Sequence, residues 1–314
     1  MKRILPAAVV AALLICFPTG GKTIKSLRSE DGGDGPYKAI VVEDDLLPGH
    51  TIIRPENLKA AAKKEGKLPV ILFGNGACAR DSRMFYPFLS QIASYGYIVV
   101  TNGYWSDETN EQRRFEQAPA PPGDNTAPMQ PRDNKQEALD LLNSLRWLKE
   151  QSKTRKSEYF KAVDTGTVIA SGQSCGGLQA LLLSSLGDSR IKTAVLLNSG
   201  SFPSQGGFAG GVFAKEDLEK ISVPLIYIDG GDKDIAYVNG KDDFEKIQGV
   251  PVAFSNYPAG HMGTFFDEHG GEFARMAIMW LEYRIRGNKQ YGQVFKSGTL
   301  PAEMKLWTLE TKNF

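Results

Sequence analysis

The chain has 314 residues, enough for one large α/β core or two small domains. Hydrophobic residues make up 41% and charged residues 23%, the balance of an ordinary soluble globular enzyme. Lysine and arginine total 37 against 36 acidic residues, a net charge of +1 that excludes any general attraction for nucleic acid or an anionic membrane surface. No basic block with interleaved aromatics, no metal-type Cys/His spacing and no internal repeat occurs in the sequence.

In chain order, residues 1–21 have the layout of a secretory signal. Lys2 and Arg3 precede an apolar run at 4–17, and Pro18-Thr19-Gly20-Gly21 follows it. The run is too short to span a bilayer as a mature helix, so no stable membrane insertion is expected. The expected product is secreted or periplasmic, with residues 22–314 as a single domain. No A-x-A marks the cleavage point. Cys16 leaves with the signal, and the remaining Cys78 and Cys175 invite a disulfide in an exported protein.

Residues 31–35 form a loose, glycine-rich stretch. Residues 37–42 and 51–54 read as two early strands, and the polar, basic segment 60–67 as a surface connection. The continuous apolar run 68–73, closed by Gly74-Asn75-Gly76, has the pattern of a central parallel strand buried on both faces. Helical spacing at 85–95 leads to a strand at 97–100. Segment 106–133 carries five prolines and reads as an irregular surface loop.

An amphipathic helix is expected over 134–151, with Leu139, Leu142, Leu145, Trp147 and Leu148 as its apolar positions and Asp133 or Asn134 as its cap. Strand 168–171, helix 178–186, strands 193–198, 225–229 and 252–257, and a final helix at 272–286 complete the pattern. Such alternation predicts an α/β fold: a mostly parallel central sheet with helices on both faces.

Gly172-Gln173-Ser174-Cys175-Gly176 is the only G-x-S-x-G in the chain. It follows an expected strand and opens an expected helix, which is the setting a nucleophile elbow requires. The bland alternative is a glycine-rich turn with a capping serine. A serine hydroxyl needs a base to take its proton. The three histidines are His50, His261 and His269. His50 lies far upstream of the serine, and His269 reads as a surface or capping residue. His261 follows the last strand on a glycine-flanked loop, where the order serine, acid, histidine places the base.

The acid belongs after strand 225–229, in Gly230-Gly231-Asp232-Lys233-Asp234-Ile235-Ala236. Asp234, followed by two apolar residues, is the expected acid, and Asp232 is the alternative. An oxyanion needs two preorganised N–H donors. The Cys175 amide is one, and Ala77, in the loop after strand 68–73, is the expected other. Cys78 and Cys175 adjoin or contain these donors, so a disulfide between them would pin the oxyanion loop onto the elbow. Trp105 and Phe202 are candidates for lining an apolar substrate pocket.

Taken together, these motifs resemble the α/β-hydrolase superfamily, and most of all secreted esterases related to cutinases, polyester hydrolases and dienelactone-hydrolase-like proteins. The resemblance rests on VILFGNGACARDSRMFYPFLSQIASYGYIVV, GTVIASGQSCGGLQALLLS, PLIYIDGGDKDIAY and YPAGHMGTF, and covers residues 68–286. It implies the α/β-hydrolase fold, triad roles for Ser174, Asp234 and His261, and no metal or organic cofactor. The cysteine pair, the neighbouring Asp232 and the prolyl loop depart from compact cutinases. The expected activity is carboxylic ester hydrolysis through an acyl-enzyme, on a small-molecule or polymeric ester. A peptidase or acyltransferase on the same fold is the alternative, and a non-catalytic binding protein is a third reading from another class.

Overall fold

All seven residues of Leu68–Gly74 are buried. A strand of that kind must be covered on both faces, and the computed structural model puts it inside a sheet sandwiched between helices. The structure describes residues 22–24, 32–105, 133–203 and 212–314. The expected export signal and most of the prolyl loop lie outside the described residues.

The strands are β1 (Lys22–Ile24), β2 (Ala39–Glu43), β3 (His50–Pro55), β4 (Leu68–Gly74), β5 (Ile98–Asn102), β6 (Val163–Gln173), β7 (Ile191–Leu197), β8 (Leu225–Asp229), β9 (Val252–Asn256) and β10 (Thr308–Lys312). Among the described residues they form one sheet in the order β1-β2-β3-β5-β4-β6-β7-β8-β9-β10. The central run β5-β4-β6-β7-β8-β9 is parallel. The strands outside it pair antiparallel. The expected α/β class with a mostly parallel sheet is therefore what the chain adopts.

The helices are α1 (Leu58–Glu65), α2 (Tyr86–Ser94), α3 (Asn134–Lys153), α4 (Cys175–Ser185), α5 (Tyr237–Lys246), α6 (Gly271–Arg284) and α7 (Lys289–Ser297). Alternation along β4 sends Val70 and Leu72 to one apolar layer and Ile71 and Phe73 to the other. Leu145 of α3 and Leu181 of α4 cover the first face. Leu89 of α2 and Trp280 of α6 cover the second. Both faces of the parallel strands are thus shielded from water, as parallel sheets require.

Several expectations need correction. Segment 60–67 is mostly helical, within α1, and not a bare connection. Asn57 Oδ1 accepts from the Ala60 N–H at 3.0 Å, and only Leu58 and Ala61 are buried, so a narrow apolar stripe is hidden among polar side chains. Helix α3 turns Ala138, Leu141, Leu145 and Leu148 inward, while Leu139, Leu142 and Trp147 are only half-buried at its flanks. Helix α6 is not the last element. Helix α7 packs Phe295 into the second layer, and β10 closes the sheet edge against β9. Helix α5, between β8 and β9, lacked a clear apolar period.

Candidate active site

The parallel strands all point their C-terminal ends at one rim, where open α/β sheets place their ligand crevices. At the centre of that rim β6 ends at Gln173 and α4 begins at Cys175, so Ser174 alone carries the reversal. Its backbone sits at φ 53°, ψ −116°, a region that non-glycine residues rarely occupy. The surroundings hold it there. Ser174 N–H donates to Leu197 O at 2.9 Å, and Ser174 O accepts from Gly177 N–H at 2.9 Å and from Ser199 Oγ at 2.8 Å. A Cβ on Gly176 would lie 2.0 Å from Gly74 O, and one on Gly172 2.2 Å from Gly176 O. The glycines of the motif are there because neighbouring backbone occupies the space.

His261 follows β9 on its loop. Its Nε2 lies 3.0 Å from Ser174 Oγ, and its Nδ1 lies 2.6 Å from Asp234 Oδ1. The tautomer that suits both contacts donates Nδ1–H to the carboxylate and leaves the Nε2 lone pair facing the hydroxyl. Gln173 Nε2 donates to His261 O at 3.1 Å and ties the loop to the elbow.

Asp234 is buried at the start of the turn into α5. It accepts from the amides of Gly230 and Ala236 at 2.9 Å each, and from Asn198 Nδ2 at 2.5 Å. Burial pushes its carboxyl pKa up. The bonds from His261, Ala236, Asn198 and Gly230 outweigh that and hold it below the ordinary carboxylate range. Asp232, the alternative acid, is exposed to solvent together with Lys233. His50 opens β3 with its Nδ1 3.1 Å from Pro48 O, and His269 lies 3.7 Å from Glu268. Neither is bonded to Ser174.

Cys78 and Cys175 are joined by a disulfide. Ala77 and Cys175 both line the cleft above the serine. Cys175 opens α4, whose first amides give the site a positive end. The cleft encloses about 590 Å³, and Met84, Leu178, Phe202, Ile235 and Met262 supply its apolar lining. No Asp, Glu, Lys or Arg side chain belongs to that lining among the described residues. Trp105, expected there, lies elsewhere. Its ring packs on Tyr86 at 5.1 Å between centroids, buried in the α2 side of the core. Among the described residues no group of three or more His, Cys, Asp or Glu side chains could hold a metal ion, and no helix is long and apolar enough to cross a membrane.

Sequence reasoning missed Asn198, Gln173, Ser199 and Asp229. Asn198 and Ser199 follow β7, and Asp229 ends β8, so their position on the C-terminal rim was the available signal. Asp229 Oδ1 accepts from Ser199 N–H at 3.2 Å, while its Oδ2 is buried with no partner among the described residues. Burial, reinforced by the Asp234 carboxylate, raises the Asp229 pKa well above the ordinary value. Against this geometry, no family model matches the chain, and no curated protein matches it.

Proposed function

We propose that the chain is a secreted or periplasmic serine hydrolase of carboxylic esters, built on the α/β-hydrolase fold. The observation that carries the reading is one imidazole held between two partners, Ser174 Oγ at 3.0 Å and Asp234 Oδ1 at 2.6 Å. A hydroxyl on a strained turn, a base within reach and a buried acid behind the base form the constellation that activates a serine. The disulfide supports export, because such bonds persist in oxidising compartments.

In this reading Ser174 Oγ bonds to the ester carbonyl carbon while His261 Nε2 takes its proton. Asp234 keeps the ring oriented and stabilises the imidazolium. The amides of Cys175 and Ala77 receive the oxyanion. The carbon–oxygen bond to the alcohol then breaks, and His261 protonates the leaving oxygen. Water adds to the acyl-enzyme with His261 as base, and the acid departs. The lining of the cleft, which holds no Asp, Glu, Lys or Arg among the described residues, favours neutral acyl and alcohol groups, from a small molecule or a polymer chain.

Labelling with a fluorophosphonate tests the nucleophile: the wild type should react and Ser174→Ala should not. p-Nitrophenyl esters of increasing chain length, set beside the matching anilides, test the bond class. Faster cleavage of anilides than esters would favour a peptidase. Failure of the folded wild type to react with any of these probes would leave a binding protein.

A further inference from the structure

Ala77 and Cys78 stand side by side at φ 53° and φ 46°. Two consecutive non-glycine residues in the left-handed region persist only when the surroundings over-determine them. Two devices do so here. Asn75 Nδ2 donates to Ala79 O at 2.9 Å and to Asn102 O at 3.0 Å, which fixes the start of the turn. Cys78 is then bonded to Cys175, 97 residues away and directly after the nucleophile. The sheet does not depend on this tie, because Gly74 of β4 and Gly172 of β6 are already paired in register. What the bond adds is local: it sets the spacing between the two segments that offer the oxyanion donors.

We propose that the Cys78–Cys175 disulfide is the positioning element of the oxyanion site, and that a dithiol reductant lowers activity by opening it. The claim rests on the hydrolase reading above. Both cysteines are buried, Cys78 at 2% and Cys175 at 6% exposure, but Cys175 lines the cleft and Cys78 does not, so a reductant arrives through the opening used by substrate. One thiolate of the dithiol attacks Cys175 Sγ, the S–S bond breaks, and Cys78 leaves as a thiolate that takes up a proton. The second thiolate of the reductant attacks its own sulfur in the mixed disulfide and expels Cys175. Two electrons pass to the protein, and the products are two protein thiols and a cyclic disulfide. Once the tie is open, Ala77 and Cys78 relax out of the left-handed region and the Ala77 amide loses its aim. The loss falls on the step that builds negative charge, and ground-state binding is spared.

The test treats the full chain with dithiothreitol, counts the thiols released and follows p-nitrophenyl ester hydrolysis, with a Cys78→Ser/Cys175→Ser double variant in parallel. As two thiols appear, kcat should fall by about 100-fold with KM held within about twofold. Affinity for a trifluoromethyl ketone, which forms the tetrahedral oxyanion, should fall with kcat, while far-UV circular dichroism stays constant. Enzyme already carrying a phosphonate on Ser174 should release its thiols several-fold more slowly. Unchanged kcat with both thiols titrated would overturn the proposal. A collapse of the dichroism signal would also overturn it, because the bond would then hold the fold and not the donors. An untreated enzyme that cleaves no ester and takes no phosphonate would instead remove the hydrolase reading, and this proposal with it.

Discussion

Asn198 Nδ2 donates to Asp234 Oδ2 at 2.5 Å and to Gly260 O at 3.0 Å, so one amide group joins the acid loop to the histidine loop. Its backbone lies at φ 45°, which asparagine tolerates better than most residues. Asn198→Ala removes both bonds and leaves an alanine in the left-handed region. A bond to a charged group contributes about 1.5–3 kcal/mol, so kcat should fall by roughly tenfold or more and unfolding stability by about 2 kcal/mol. Steady-state kinetics and urea denaturation measure the two. A variant with wild-type kcat would remove Asn198 from the positioning of Asp234.

The two aspartates of the acid loop should separate cleanly. Asp232 is exposed, whereas Asp234 is buried and bonded to the imidazole. Asp234→Asn favours the wrong histidine tautomer and should lower kcat by roughly 10⁴-fold, while Asp232→Asn stays near wild type. The native carboxyl of Asp234 titrates below its ordinary value, for all that burial opposes this. Falling pH therefore protonates the unfolded chain first. The contribution of Asp234 to stability is complete above the ordinary carboxylate pKa and disappears as pH drops through the lowered native one. The stability gap between wild type and Asp234→Asn should be constant near neutrality and close in acid. A gap that widened in acid would contradict the assignment.

The parts of this site that could be read from sequence are those in which local chain geometry and chemistry coincide. Ser174 sits in a five-residue motif whose glycines answer to backbone only 2.0–2.2 Å from their absent Cβ atoms, and a strand and a helix flank it in sequence. His261 was legible from its order in the chain. Asn198 and Asp229 were not, because nothing local distinguishes a rim asparagine or aspartate from a surface one. Their roles arise only when β7 and β8 pair and bring Ser199 N–H to within 3.2 Å of Asp229 Oδ1. Trp105 was misplaced for the same reason. Its position three residues past β5 suggested the rim, but a large apolar ring gains more by packing on Tyr86 than by facing a cleft. Helix α1 was hidden by its composition, since two buried side chains leave almost no apolar period to detect.

Asp229 should act on stability in the opposite sense to Asp234. Burial first, and then the neighbouring Asp234 carboxylate, raise its native pKa well above the ordinary value. Between the ordinary carboxylate pKa and the raised native one, the unfolded chain has released this proton while the native chain retains it. Stability therefore declines as pH rises towards the raised native value, by at most about 1.4 kcal/mol per pH unit. Asp229→Asn keeps the shape and removes the titration. Denaturant midpoints at pH 5 and pH 8 should show the variant gaining on wild type as pH rises. Parallel curves would mean that Asp229 is ionised in the native protein.

Ser174 offers a test in which strain and chemistry separate. Ser174→Ala and Ser174→Gly both lose the hydroxyl, and both should lower kcat by roughly 10⁴- to 10⁶-fold. They differ in backbone. At φ 53°, ψ −116° alanine keeps the strain of a Cβ in a sparsely populated region, about 1–3 kcal/mol, whereas glycine does not. Glycine costs about 0.5–1 kcal/mol more in unfolded-state entropy, so the net difference should favour the glycine variant by about 1 kcal/mol. That ordering reverses the usual one for alanine and glycine in regular structure. Paired urea titrations measure it directly, and an alanine variant as stable as the glycine one would mean that the turn relaxes once the hydroxyl is gone. In that case the bonds to Leu197, Gly177 and Ser199 would not be what fixes Ser174, and the precision of its 3.0 Å approach to His261 would need another source.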